Sequence, residues 1–143
     1  MSALLHISDT HFGTEQGPVV EALAALSQRL QPALVVLSGD VTQRARRRQF
    51  AAAAAFVKRL APAPVLTIPG NHDIPLFNLY ARWRRPYANY RGVFGGSLQP
   101  RWQNADLFVL GVNTTRPSRH TDGEISALQR KQVANALRSA SRS

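Results

Sequence analysis

Cysteine is absent from all 143 residues, which excludes both a disulfide framework and thiolate metal ligation. Long apolar runs are missing too: no stretch approaches the roughly 18 residues that a membrane span requires. The amino terminus, MSALLHISDTH, has neither the basic nor the apolar segment of a secretory leader, so a cytoplasmic protein with no membrane partner is expected. Internal repeats and low-complexity linkers are also lacking, which leaves a single domain over 1–143. A chain of this length buries about 68–70% of its unfolded surface, enough for a core that needs no covalent staples. Negative charge is scarce. Eight Asp and Glu stand against eighteen Lys and Arg, sixteen of them arginine, for a formal net charge of +10. That balance suits an anionic partner, a phosphate ester before a nucleic acid, although Ala- and Arg-rich, Lys-poor usage is equally the mark of a GC-rich genome. The run RWRR, Arg82 to Arg85, with Tyr87 and Tyr90 close by, has the composition of a single-strand binder, but no nucleic-acid fold signature accompanies it.

What is present is a succession of short apolar runs alternating with helical patterns. Leu4 to Ser8 reads as a first strand. Pro18 opens a helix whose Val19, Leu23, Leu26 and Leu30 recur at helical spacing up to Pro32. The β-branched run Ala33 to Ser38 predicts a strand buried on both faces. A second helix is expected over Ala45 to Leu60, with Phe50, Ala54, Val57 and Leu60 inward, and APVLTI (63–68) is a third strand. This alternation predicts an α/β fold with a parallel sheet and right-handed crossovers. Residues 76–100 mix aromatics, arginines and glycines, the composition of a rim or lid with short helix and loop. LQPRWQ and DLFVLGVN then read as two adjacent strands around a turn at Asn104 to Asp106. A last helix is expected from the capping-box pattern Thr121-Asp122-Gly123-Glu124, carrying Ile125, Leu128, Val133 and Leu137 inward. His6 reads as a core histidine and His120 as a surface-loop residue.

The few carboxylates are placed informatively. Asp9, Asp40 and Asp73 each follow a strand-like run, in HISDTH, VLSGDV and IPGNHD. In a parallel sheet the C-terminal strand ends open on one edge, where α/β proteins bind ligands. Asp9 and His11 stand two apart, which in extended chain turns both to one side. Asp40 follows a glycine that permits a close backbone turn, and Asn71 and His72 come from the third unit. Carboxylates, imidazole and an amide oxygen form a hard-to-borderline donor set suited to Mn, Fe or Zn. Two such ions about 3.5–4 Å apart, sharing a carboxylate, support in-line displacement at phosphorus. Asp40, from the middle unit, is the natural bridge, and His72 is placed to protonate a leaving oxygen as general acid.

In this order, D-x-H, G-D and G-N-H-D resemble the calcineurin-like metallophosphoesterase superfamily. SGDVTQRARRRQF, IPGNHDIPLF and VNTTRP are most similar to its bacterial branch close to the cyclic-nucleotide phosphodiesterases. The resemblance implies a two-sheet sandwich flanked by helices (αββα). It also implies hydrolysis of a phosphodiester or phosphomonoester by a metal-bound hydroxide at two divalent ions. It places Asp9 and His11 on the first ion, Asp40 between the two and Asn71 on the second. His72 falls on the substrate phosphate or leaving group, and Asp73 supports these from behind. Two departures stand out. Gln43 occupies the place where many relatives carry an acid partner for His72. The family's further histidine ligands have no counterpart either, because the chain holds only His6, His11, His72 and His120 and no G-H-x-H. A chain lacking the family's C-terminal strands is therefore expected. Two readings of other classes stay open: an inactive truncated fragment, and a non-catalytic basic module that binds phosphate-rich anions.

Overall fold

Strands β1 (Leu4–Ser8), β2 (Leu34–Ser38) and β3 (Val65–Thr67) form a parallel sheet with β2 central, in a computed structural model that describes residues 2–140. Ser8 pairs with Ser38 and Leu37 with Thr67, so the three chains leave the sheet at nearly the same level. Alternation along β2 sends Val35 and Leu37 to one face and Leu34 and Val36 to the other. All four are buried, which requires a cover on both sides. Each such side chain contributes about 1.5–3 kcal/mol when fully removed from water.

The first cover is helical. α1 (Gly17–Leu30) and α2 (Arg47–Arg59) supply Ala24, Ala53 and Phe56 to a cluster with Ile7, Phe12, Val35 and Leu37. Pro18 sits in the first turn of α1, and Gln31 closes that helix in the left-handed region at φ 45°. The buried side of α2 is Phe50, Ala53 and Phe56, continuing to Leu60, instead of the expected stripe through Ala54 and Val57. Both phenylalanines must be housed, and Phe56 packs 5.6 Å from Phe12, which rotates the helix by about one position. Val57 remains at the margin of the cluster.

Residues 76–100 are less of a lid than their composition suggests. They form α3 (Leu79–Arg84) and α4 (Ala88–Phe94), and Tyr90 of α4 is fully buried, with its hydroxyl donating to Thr67 Oγ1 at 2.8 Å. Its ring lies 6.2 Å from Phe50 and 5.2 Å from Phe94, so α4 belongs to the core. The second cover of the sheet is the antiparallel hairpin β4 (Arg101–Gln103) and β5 (Phe108–Leu110). Its Trp102 and Val109 pack on Leu34, Val36 and Leu66. The hairpin does not reach over β1. His6 is consequently exposed, with Nε2 2.7 Å from Ser38 Oγ, and is not the core residue expected.

α5 (Ala127–Ala140) begins later than the Thr121 pattern implies. Its capping box is Ser126-x-x-Gln129: Ser126 Oγ accepts from Gln129 N–H at 3.1 Å, and Gln129 Oε1 accepts from Ser126 N–H at 3.0 Å. Ile125, Leu128 and Leu137 are more than half exposed, contrary to expectation, and the buried residue is Gln129. A polar anchor accounts for this, because Gln129 Nε2 donates to Asn113 O and its Oε1 accepts from Arg116 Nη2 at 2.8 Å. The architecture is thus α/β, with helices on one face of a parallel sheet and a two-stranded hairpin on the other. Among the described residues, no helix is long and apolar enough to cross a membrane.

Candidate metal centre

Beyond Ser8 the chain runs beside the loop that follows β2. The N–H groups of Asp9, His11 and Phe12 donate to the carbonyls of Ser38, Asp40 and Val41 at 3.0, 2.9 and 2.9 Å. Extended geometry from Asp9 to His11 was the expectation, yet both residues lie in the left-handed region, at φ 54° and 45°. Such conformations cost about 1–3 kcal/mol each and persist where the surroundings over-determine them. Here the paired loop does so, and both side chains still arrive at Asp40. Asp40 N–H donates to Asp9 Oδ1 at 3.1 Å, and His11 Nε2 lies 3.9 Å from Asp40 Oδ2. Two glycines provide the room. A Cβ on Gly39 (φ +74°) would sit 2.4 Å from Asp9 Oδ1, and one on Gly70 would sit 2.2 Å from Asp40 Oδ1.

The third strand end folds into a single 3-10 turn, Asn71–Asp73. His72 N–H donates to Asp40 Oδ1 at 2.9 Å. Its Nδ1 lies 3.0 Å from Gln43 O, and a carbonyl only accepts, so Nδ1 carries the hydrogen. The absence of an acid at position 43 therefore leaves His72 with a partner, the backbone of the same residue. His72 Nε2 faces Asp40 Oδ2 at 3.9 Å, and the two imidazoles meet edge-on at 5.4 Å. Ligand atoms of His11, Asp40 and His72 all lie within 4.8 Å of one another.

Asp9 and Asn71 flank this cluster. Asn71 Nδ2 donates to His120 O at 2.6 Å, which orients the amide and turns its Oδ1 the other way. Asp73 is 1% exposed and accepts four hydrogen bonds, from the N–H groups of Val41, Thr42 and Gly70 and from the Thr42 hydroxyl. Burial pushes its carboxyl up to about 6, against those hydrogen bonds, which favour the charged form. Asp73 thereby ties the loop after β2 to the loop after β3.

Two residues near the cluster were not legible as site residues. Arg82, read only as part of the basic run RWRR, is 4% exposed and donates to Pro75 O at 3.2 Å and to Arg119 O at 2.8 Å. His120 acts through its backbone carbonyl on Asn71. Both contacts pair a side chain with a backbone carbonyl of a loop, which leaves no periodic signal in the sequence.

The donors suit a hard-to-borderline cation. His11 Nδ1, the ring nitrogen other than the one that faces Asp40, is buried without a hydrogen-bond partner. Among the described residues, His11, Asp40 and His72 form the group whose ligand atoms lie close enough together to hold an ion.

With the geometry in place, the sequence comparison becomes decisive: the model of the calcineurin-like phosphoesterase family matches residues 3–126. The chain belongs to the calcineurin-like phosphoesterase family. Its members are metal-dependent phosphoesterases, which gives divalent cations as the cofactor class and phosphate esters as the substrate class. The matched span contains all three strand ends and stops at Ser126, the cap of α5. No curated protein sequence matches the chain.

Proposed function

We propose that this calcineurin-like phosphoesterase hydrolyses a phosphodiester or phosphomonoester at the edge where the three strand ends meet. The observation that carries the reading is the convergence of His11, Asp40 and His72, from three separate strand ends, with ligand atoms within 4.8 Å. Asp9, His11 and Asp40 would hold a first divalent ion, and Asp40 and Asn71 would contribute to a second. Such ions, when bound, activate water and offset charge on the phosphoryl oxygens. A phosphodiester is favoured by the similarity of SGDVTQRARRRQF and IPGNHDIPLF to the cyclic-nucleotide phosphodiesterase branch.

The chain's own residues supply the positioning and the proton. Asp40 fixes the peptide of His72 through Oδ1, leaving Oδ2 toward the two imidazoles. Nδ1 of His72 stays bonded to Gln43 O in both protonation states, so Nε2 can gain and lose a proton without ring movement. In the reaction the water oxygen joins phosphorus, and the bond to the leaving oxygen breaks with its electron pair on that oxygen. His72 Nε2–H protonates it, and the water's proton passes to solvent. The test is manganese-dependent hydrolysis of bis(4-nitrophenyl) phosphate by the chain beside its Asp40→Asn variant. Hydrolysis falls to background in the variant. An unchanged manganese-dependent rate contradicts the reading.

A further inference from the structure

Two cavities adjoin Asn71; arginines line both, but carboxylates line only one. One, of about 390 Å³, is lined by the carboxylates of Asp9, Asp40 and Asp122 together with Arg116 and Arg119. The other, of about 320 Å³, lies on the His72 side, and no carboxylate lines it. Its walls include Arg44, Arg82, His120, Ile74 and Leu76, with His72 at the boundary.

Arg82 is the unusual member. It is 4% exposed, and its two hydrogen bonds go to backbone carbonyls. Among the described residues no carboxylate pairs with it. A guanidinium has five N–H donors, so two carbonyl bonds leave donors unused and supply dipoles without a counter-charge. A cation held this far from water is costly unless an anion offsets it. Arg44 adds a second positive charge, its guanidinium 5.2 Å over the Phe77 ring. The apolar wall is firm, since Ile74 is 1% exposed.

We infer that this cavity receives the departing half of the substrate, and that it selects a leaving group carrying its own anionic oxygen, a second phosphoryl or a carboxylate, on an apolar body. The inference rests on the proposed function in one respect: His72 protonates the leaving oxygen, so the group that departs is the one on the His72 side. Arg82 and Arg44 supply the counter-charge, and Ile74 and Leu76 take the apolar body.

The cavity is tested without metal. Phenylphosphonate is titrated into the EDTA-treated chain by calorimetry, beside benzyl alcohol and benzyltrimethylammonium. The anion alone binds. Arg82→Met weakens it roughly tenfold or more, the loss of charge-assisted hydrogen bonds, and Arg44→Met weakens it severalfold. Arg44 is exposed, so its variant carries the test should Arg82→Met fail to fold. Equal affinity in folded variants, or binding that appears only when manganese is restored, overturns the inference. The leaving-group assignment is read on the manganese-loaded chain with two aryl methyl phosphates, one bearing a carboxylate on the departing ring. Wild type prefers the carboxylated ester, and Arg44→Met loses the preference. No preference overturns that assignment. Absence of all hydrolysis alongside intact phenylphosphonate binding instead overturns the phosphoesterase reading and leaves only an anion site.

Discussion

Four donors converge on one carboxylate at Asp73, and none of them comes from a charged group. The residue reads in the sequence as the last letter of a metal-site motif, yet its visible work is to join two loops. An amide in its place would turn an NH2 toward N–H donors and leave buried groups unsatisfied. Asp73→Asn should therefore lose about 3 kcal/mol of folding stability, measured by urea unfolding. A loss below about 0.5 kcal/mol, the range of ordinary surface changes, would show that the two loops hold without it. The residues of the candidate site were legible because they are scarce types at marked places: Asp9, Asp40 and Asp73 are three of only eight carboxylates. Their backbone was not. Extended chain at Asp9–His11 is the default expectation, and the left-handed pair is imposed by pairing to the loop after β2. Arg82 was illegible for a similar reason, because its acceptors are backbone carbonyls, of nearby Pro75 and of distant Arg119.

Among the elements, strands declare themselves best. β1 was legible to the residue and β2 to within one, because an apolar run too short for a surface helix has few alternatives in a parallel sheet. Helix faces are harder, since a one-position rotation exchanges Ala54 and Val57 for Ala53 and Phe56 without altering the periodic pattern. The start of α5 shows how a local motif can mislead. Thr121 to Glu124 has the letters of a capping box, but Gly123 lies against Thr114 and Glu124 N–H donates to Thr114 O, which keeps that stretch out of the helix. The working box is Ser126 with Gln129. Ser126→Ala should cost about 1 kcal/mol in thermal or urea unfolding. An effect within experimental error would mean that Gln129's bonds to Asn113 and Arg116 hold the helix without its cap.

For the whole molecule, function follows from register. Three parallel strands end level, so the loops that leave them share one edge, and the scarce carboxylates gather there in a chain of formal charge +10. Arginines line both cavities beside Asn71, but carboxylates line only one of them. The claim beneath all of this is that the strand ends form a metal centre. Equilibrium manganese binding tests it most directly, by calorimetry on the folded chain and on its Asp40→Asn variant. The account predicts saturable binding of at least one ion per chain that is lost in the variant. A folded chain that takes up no manganese, or a variant that binds it as well as wild type, would contradict it.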